Sequence, residues 1–330
     1  MEILPLMILL ASFLSTLLIM PIWIKKAKQI GLVWEDMNKF LKEKNVAGSG
    51  GIIVLLGTIL GIFLYIALQV FYFKSAYGIL IKILAIVCSM LLVGGIGFVD
   101  DLMGWKRGGL SIRSRIFLVL FSAIPLVVIN AGESTVFGIN LGIIYPLIFI
   151  PLGILGATTT YNFLAGFNGL EASQGIIILS ALAYVTYITG NSWLSMIALC
   201  MVVSLIAFYI FNKNPAKIFP GDVMTYSIGI LIAIIAILGN IEKITIFFFI
   251  PYILETILKS RGKLHKHSFG VPNPDGSLEM PYEKIYGLEH LAIKILKKIK
   301  LSKKAYENEV VWLINGFQIL IILIGLLIFL

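Results

Sequence analysis

Long apolar runs alternate with short polar segments along most of this 330-residue chain. A helix needs about 20 apolar residues to cross the hydrocarbon core of a bilayer, and ten runs approach that length. Several runs are nearer to about 15 residues, so their ends are less sharply defined. The candidate spans are residues 3–23, 52–72, 79–99, 116–131, 143–161, 175–189, 193–211, 224–238, 244–258 and 310–330.

The composition agrees with this pattern. The chain is 59% hydrophobic and 13% charged, and its mean hydropathy of +1.00 exceeds that of soluble domains. We therefore expect an all-α polytopic membrane protein with about ten transmembrane helices, forming a single domain from residue 1 to 330. Its two cysteines, Cys88 and Cys200, fall inside spans, so neither a disulfide framework nor a thiolate metal site is expected.

The positive charges indicate how the chain is oriented. If alternate linkers share one side of the membrane, that side holds 23 of the 26 Lys and Arg residues. Because positive residues remain in the cytoplasm, these linkers, including 25–50, 100–115 and 259–309, are predicted to be cytoplasmic and both termini external. The net charge of +9 is then explained by topology and by anionic membrane lipids, with no need for a nucleic-acid partner.

Four polar clusters lie beside apolar spans, all on the predicted cytoplasmic side. They are TYNFLAGFNGLEAS (160–173), GFVDD (97–101), FPGD (219–222) and HKHS (265–268). Lipid-facing backbone cannot tolerate so many polar groups, so the first cluster must line a watery cavity enclosed by protein. Together the clusters bring Asp, Asn and His side chains to one face, a combination typical of a metal and phosphate site.

The acidic clusters suggest a hard divalent cation. Asp100 and Asp101 repel each other at a membrane boundary, and a cation or the arginines that follow them would offset that cost. Taken alone, the pair could equally be a solvated helix end, and Asp222 could be a helix N-cap. Carboxylate and amide oxygens suit Mg²⁺, with Mn²⁺ as the alternative.

The two asparagines of the first cluster, Asn162 and Asn168, are six residues apart, on either side of Gly166. That spacing does not place them on one helical face, so the glycine is expected to break the helix into a loop. Their amide groups suit Mg²⁺ ligation or hydrogen bonds to a uracil-type base. Polar contacts between helices are the alternative interpretation.

The ninth linker, 259–309, is the only long extramembrane segment and is expected to cover the site. NPDGS (273–277) predicts a tight turn that closes a hairpin from Val271 to Met280. The following apolar positions recur at helical spacing opposite several lysines, which predicts a basic amphipathic helix on the inner leaflet. Two histidines, His265 and His267, are too few for a zinc site and suit contact with a phosphate or sugar.

In this order, the motifs resemble those of the polyprenyl-phosphate N-acetylhexosamine-1-phosphate transferase superfamily (glycosyltransferase family 4). The resemblance is strongest to the branch that transfers GlcNAc-1-phosphate from UDP-GlcNAc to dolichyl phosphate. NFLAGFNGLEASQ and GSLEMPYEKI are the specific matches, whereas GFVDD and the GD of FPGD are individually weak. The resemblance implies ten spans, a Mg²⁺ requirement and release of UMP at the cytoplasmic face of the cell membrane.

The resemblance also implies roles for individual residues. Asn162 and Asp222 would bind Mg²⁺, and Asp100 and Asp101 would be the catalytic acidic pair. Implied substrate contacts are Asn168 and Phe219 at the uracil, Glu171 in the same segment, Arg113 or Arg115 near the lipid phosphate, and His265, Lys266 and His267 at the diphosphate and sugar.

The chain departs from that branch at two glycines. Close relatives carry a glutamate at the position of Gly48 and an arginine at that of Gly270, and these differences affect sugar recognition. The implied partners are a UDP-N-acetylhexosamine, a polyprenyl phosphate and membrane lipids, and a homodimer is one option for the oligomeric state.

Two other functions remain open at this point. One is the same reaction with a different donor, such as another UDP-N-acetylhexosamine or UDP-MurNAc-pentapeptide. The other is an ion-coupled transporter or lipid flippase, which would place polar residues at the membrane midplane within inverted repeats. Here the polar residues crowd at one face and no internal repeat is evident, which favours an enzyme.

Overall fold

A computed structural model describes residues 3–41, 44–74, 77–136 and 138–330 of the chain, so positions 42 and 43 of the first linker lie outside the described residues. Helices dominate the described ranges. In chain order they are α1 Ile3–Gln29, α2 Gly51–Ala67, α3 Tyr77–Arg107, α4 Ile112–Phe121, α5 Ile124–Val128, α6 Ile150–Tyr161, α7 Leu170–Ile188, α8 Ser192–Asn212, α9 Gly221–Gly239, α10 Glu242–Phe248, α11 Ile250–Arg261, α12 Leu288–Ile299 and α13 Glu307–Phe329.

Seven of the described helices are long and apolar enough to cross a membrane, and they establish an integral membrane protein built from helices. They are Leu4–Gln29, Gly51–Tyr72, Gly78–Trp105, Leu170–Ile188, Ser192–Asn212, Gly221–Gly239 and Glu307–Phe329.

The other three expected spans are broken or shortened. Residues 116–131 form α4 and α5, residues 143–161 form a π-helical turn followed by α6, and residues 244–258 form α10 and α11. Proline lies at the start of α5 and of α11, where its missing N–H and its ring end the preceding helix. Ten crossings remain a prediction.

Helix α9 is the central helix of the bundle, and its neighbours reach it through glycines. A Cβ at Gly97 of α3 would lie 2.6 Å from the Val223 nitrogen, and one at Gly51 of α2 would lie 2.4 Å from the Met224 nitrogen. On α9 itself, Gly229 packs equally closely against the backbone of α6. The GGIG segment (94–97) thus serves helix packing, and α3 is held against the start of α9.

The long linker folds as expected and adds one strand. Strands Val271–Pro272 and Ser277–Glu279 pair antiparallel, which confirms the predicted hairpin, and Ala305–Tyr306 joins as a third strand. Helix α12 lies between the hairpin and this third strand in the chain. Much of its apolar face packs on protein: Leu288 and Ile293 are buried, whereas Ile299 is 75% exposed. Most of this face therefore covers α11 and α13 instead of lying on lipid.

A second small sheet, absent from the sequence prediction, forms in the first linker. Strands Val33–Glu35 and Lys44–Ala47 pair antiparallel, and Ala47 forms a parallel bridge to Ile218 in the linker before α9. This bridge ties the first linker to the segment that carries Phe219 and Asp222. A further two-stranded hairpin, Thr135–Val136 with Ile139–Asn140, lies between α5 and α6.

Candidate active site

A cavity of about 850 Å³ opens between four segments that the sequence separates widely. The segments are the first linker after α1, the loop between α6 and α7, the start of α9, and the end of α11 with the chain that follows it. Seven of the sequence-predicted site residues line this cavity: Asn162, Asn168, Glu171, Phe219, Asp222, Lys266 and His267. The structure thus brings together three of the four polar clusters.

The fourth cluster lies directly behind the cavity wall. Asp100 is 2% exposed and forms an ion pair with Arg115, in which Oδ2 lies 2.6 Å from Nε and Oδ1 lies 3.1 Å from Nη2. Its Oδ1 also accepts the Leu110 N–H at 2.7 Å. Since both oxygens are engaged, Asp100 is a fixed anion in this structure.

Asp101 holds the start of α9. Its Oδ1 accepts the backbone N–H of Asp222 at 2.7 Å. Gly221 has a φ of +70° and a Cβ there would lie 2.1 Å from Asp101 Oδ2, so this close approach requires glycine. The alternative interpretation of Asp222 as an N-cap is wrong, because the N-cap position of α9 is held by Pro220 and Asp222 lies in the first turn.

Asn162 and Asp222 are in direct contact at the cavity wall. Asn162, which ends α6, lies with Nδ2 3.2 Å from Asp222 Oδ1, and its Oδ1 accepts the Thr225 hydroxyl at 3.1 Å. Amide oxygen and nitrogen are interchangeable by rotation of the side chain, so the oxygen can face the same point as the carboxylate. Together with Asp100 and Asp101, these two residues form what we call the acidic site.

The acidic site has the donor set that Mg²⁺ prefers. Asp100 and Asp101 are close enough to repel the Asp222 carboxylate, and Arg115 is the guanidinium that faces them. Within the described parts of the chain no three His, Cys, Asp or Glu side chains are grouped as a complete metal site. Mg²⁺ typically uses one or two protein carboxylates and completes its shell with water and substrate phosphate oxygens.

The loop of residues 162–169 breaks the helix as expected, with Gly166 at a φ of +112°. Glu171 is 5% exposed, and its Oε1 accepts the Gly166 N–H at 2.9 Å, so this carboxylate closes the loop on itself. Asn168 donates its side-chain amide to Asp36 at 2.8 Å and its backbone N–H to Glu307 at 2.8 Å. One edge of the Asn168 amide is therefore held by a residue of the first linker.

The first linker is also part of the site, although the sequence patterns did not indicate it. Besides Asp36, Asn38 is 3% exposed and bridges two loops: its amide donates to the Gly166 carbonyl at 2.8 Å, and its Oδ1 accepts the Gly270 N–H at 3.2 Å. The polar run EDMNK (35–39) was the available signal. It begins twelve residues after the predicted end of the first span at residue 23, so it was not recognised as a polar cluster beside a span.

The histidine-containing segment 265–267, which we call the basic loop, forms a second wall of the cavity. Lys266 and His267 line the cavity, whereas His265 is exposed and does not. The Lys266 ammonium lies 4.7 Å from the centre of the Tyr282 ring, whose hydroxyl accepts the His267 N–H at 3.2 Å. The long linker thus supports the basic loop from behind.

Two of the remaining predicted residues, Arg113 and Arg115, lie outside the cavity lining. Arg113 is exposed at the start of α4, and Arg115 is half-buried with its guanidinium on Asp100. Phe219 lines the cavity, and its segment is fixed by backbone hydrogen bonds to Ala47 at 2.8 Å and Gly50 at 2.9 Å. One further lining residue, Lys259 of α11, was not singled out from the sequence.

A comparison with protein families matches residues 83–240 to the glycosyl transferase family 4 model. That range includes the whole acidic site and the loop of residues 162–169, but it ends before the basic loop.

Individual relatives cover more of the chain. A Saccharolobus solfataricus protein, provisionally named a UDP-N-acetylglucosamine–dolichyl-phosphate N-acetylglucosaminephosphotransferase, is 38% identical over 87% of each chain. A Sulfolobus acidocaldarius protein with the same provisional name is 30% identical over 94% of this chain and 91% of its own. A phospho-N-acetylmuramoyl-pentapeptide-transferase of Streptococcus thermophilus is 31% identical over 74% of this chain and 75% of its own.

Proposed function

We propose that this chain, which belongs to glycosyl transferase family 4, transfers GlcNAc-1-phosphate from UDP-GlcNAc to a polyprenyl phosphate of the dolichyl type. The products are polyprenyl-diphosphate-GlcNAc and UMP. The reaction is the first membrane step in the assembly of an N-glycan-type oligosaccharide.

The observation that carries this proposal is the pairing of opposite charges across one cavity. Asp222 and Asn162 present oxygen atoms on one wall, and Lys266 and His267 present cationic or hydrogen-bonding groups on the other. A UDP-sugar has a diphosphate that needs both a divalent cation and basic side chains. The names of the two archaeal relatives support the same donor and acceptor.

The chemistry requires one bond to form and one to break. An oxygen of the polyprenyl phosphate attacks the phosphorus that bears the sugar, and the bond from that phosphorus to the oxygen bridging it to the UMP phosphorus breaks. A phosphate monoester has a second pKa near 6, so the acceptor is largely a dianion at cytoplasmic pH and needs no strong base. This suits an Asp100 whose two oxygens are already occupied by Arg115 and Leu110.

We propose that Asp222 and Asn162 hold a Mg²⁺ ion, which would neutralise the diphosphate and stabilise the UMP leaving group. Asp101 positions Asp222 through its backbone N–H. Arg115, whose guanidinium pairs with Asp100 of the acidic site, is assigned to the incoming lipid phosphate. Asn168 and Phe219 are assigned to the uracil, with Lys266 and His267 at the diphosphate and sugar.

A second donor, UDP-MurNAc-pentapeptide, is supported by the Streptococcus relative. We prefer UDP-GlcNAc because the first archaeal relative is more similar, at 38% against 31% identity, over a larger share of the chain. The transporter alternative receives no such support, because the polar residues that line the cavity gather at one end of the bundle.

We also propose that the cavity faces the cytoplasm, because the segments around it carry most of the lysines and arginines. A cysteine in place of Lys298 should resist an impermeant thiol reagent in intact cells, whereas one in place of Glu133 should react. The reverse pattern would invert the orientation.

The activity is tested with the purified chain, Mg²⁺ and a short polyprenyl phosphate. Each of UDP-GlcNAc, UDP-GalNAc and UDP-MurNAc-pentapeptide is supplied in turn, and UMP release and the lipid product are measured. We expect both products with UDP-GlcNAc. UMP release only with UDP-MurNAc-pentapeptide would contradict the donor assignment while leaving the reaction class intact.

A further inference from the structure

Three titratable side chains lie close together where the end of α11 meets the start of α12. Glu255 and Glu289 are both 0% exposed, and Lys259 lies one helical turn after Glu255 on α11. The two carboxylates converge on the same point, because a Cβ at Gly287 would lie 2.6 Å from Glu289 Oε2 and 3.0 Å from Glu255 Oε1. None of the roles assigned above uses this cluster.

Glu255 is held at the start of α12. Its Oε2 accepts the Leu288 N–H at 2.6 Å, and the positive end of the helix dipole favours an anion at this position. The Glu255 carboxylate is therefore held in place at the start of α12, and the Lys259 Nζ lies 3.5 Å from its Oε1.

Lys259 is the member of the cluster that reaches the cavity. Its side chain is 14% exposed and lines the cavity together with Asn162 and Asp222. Its ammonium donates to the Phe163 carbonyl, next to Asn162 in the loop of residues 162–169. An ammonium has three N–H donors, so with Phe163 and Glu255 as partners one donor remains for a group inside the cavity.

We propose that Lys259 binds a phosphate group of a substrate within this cavity. The inference rests on the proposed function, since it assumes that a nucleotide diphosphate or a polyprenyl phosphate enters. A phosphate oxygen is the group that a buried ammonium prefers over a backbone carbonyl, because the hydrogen bond is then between opposite charges. The assignment adds a cation, Lys259, to a part of the cavity wall outside the basic loop.

Glu289 keeps this lysine from being neutralised by two carboxylates. Burial, with the Glu255 charge beside it, raises the pKa of Glu289 well above its ordinary value, although Lys259 acts in the opposite direction. The shift favours the neutral, protonated form of Glu289, which leaves Glu255 as the carboxylate beside the Lys259 ammonium.

The test compares ligands that share a uracil and differ in phosphate. Binding of uridine, UMP and UDP to the full-length protein in detergent is measured by calorimetry for the wild type and for Lys259→Met. We expect the Lys259→Met variant to bind UDP at least ~10-fold more weakly, as for a lost hydrogen bond to a charged group, while its affinity for uridine is unchanged. Lys259→Arg should retain most of the affinity for UDP.

A second arm identifies the source of the phosphate. If UDP binding is unchanged but the KM for the polyprenyl phosphate rises ~10-fold, Lys259 binds the acceptor instead of the donor. The matched control is Lys294→Met, which removes an exposed lysine of α12 and should change neither quantity.

Two results would overturn the proposal. A loss of uridine affinity equal to the loss of UDP affinity would show that Lys259 only supports the fold of the cavity. An unchanged affinity for UDP together with an unchanged KM for the polyprenyl phosphate would show that Lys259 binds neither phosphate. If Lys259→Met does not yield monodisperse protein, Lys259→Gln replaces it. A wild-type protein that binds no uracil nucleotide contradicts the proposed function itself, which separates the two failures.

Discussion

The two walls of the cavity are built in opposite ways. The acidic site lies on the ends of packed helices: Asp100 is 2% exposed, and Asp222 follows the glycine at which α9 begins. The basic loop is an irregular segment in which residues 265–267 are all exposed. The carboxylates are fixed by the bundle, whereas the basic side chains are supported only by the linker behind them.

Electrostatics explains this difference. Neighbouring carboxylates repel one another, and burial makes each charge more costly, so their geometry must be fixed by backbone N–H donors such as those of Asp222, to Asp101, and Leu110, to Asp100. Basic side chains that stay hydrated until an anion arrives have no such cost. We therefore expect changes in the acidic site to abolish turnover and changes in the basic loop to weaken binding.

The largest effect is expected at Asp222. Asp222→Ala should reduce UMP release by at least ~10²-fold, because the variant loses a charge that stabilises the transition state through Mg²⁺. Asp275→Asn, which alters an exposed aspartate in the hairpin, should stay within ~2-fold. Full activity of the wild type in EDTA would contradict the metal assignment.

A smaller but still large effect is expected at Gly221. Gly221→Ala puts a Cβ 2.1 Å from Asp101 Oδ2 at a φ of +70°, so Asp101 and the start of α9 must move apart. Displacing a positioned group by about 1 Å can cost up to ~10²-fold, and we expect a fall in kcat of at least ~10-fold.

The matched control for that substitution is Gly95→Ala, since a Cβ at Gly95 meets no neighbour. Equal kcat values for the two alanine variants would show that the contact between Asp101 and α9 is dispensable.

A moderate effect is expected in the basic loop. His267→Ala should raise the KM for the UDP-sugar roughly 5-fold, the size of one lost hydrogen bond, with little change in kcat. His265→Ala should have less effect, because His265 does not line the cavity. A fall in kcat without a change in KM would remove the proposed contrast between the two walls.

The smallest effect on turnover, and a distinct one on stability, is expected at Glu289. Burial and Glu255 raise its pKa in the folded protein above the ordinary 4.5, while Lys259 opposes the shift and Glu171 adds to it. Folding therefore takes up a proton, and the stability this contributes is complete below pH 4.5 and declines as the pH rises above it.

Glu289→Gln lacks this proton uptake. The thermal midpoint of the variant should therefore rise relative to that of the wild type as the pH increases above 4.5. A difference in midpoint that does not change with pH would show that Glu289 does not titrate between these conditions.

The sequence predicted those parts of the site that depend on neighbouring residues. Gly166 between two asparagines indicated the loop at residues 162–169, and NPDGS indicated the hairpin of the long linker; the structure confirms both. In each case the residues that carry the prediction lie within about ten positions of one another, which is the range over which turn and helix rules apply.

The missed contacts join residues that are distant in sequence. Asp36 reaches Asn168 across 132 positions, and Asn38 reaches Gly270 across 232. Lys259 was counted only as one of eleven basic residues in its linker, since charge alone does not distinguish a buried lysine from a solvated one. Asp222 was ambiguous because its N–H partner, Asp101, comes from another helix.

The glycine contacts around α9 also determine where this protein can move. At Gly51, Gly97 and Gly229 the backbones of neighbouring helices touch, so α9 cannot slide or rotate without forcing main chain into main chain. An opening that admits a large substrate would therefore come from segments outside these contacts, such as the long linker that carries the basic loop. A compound bound only to the acidic site would meet the same surface in every state of the protein, whereas one that also contacts the basic loop would favour a single state.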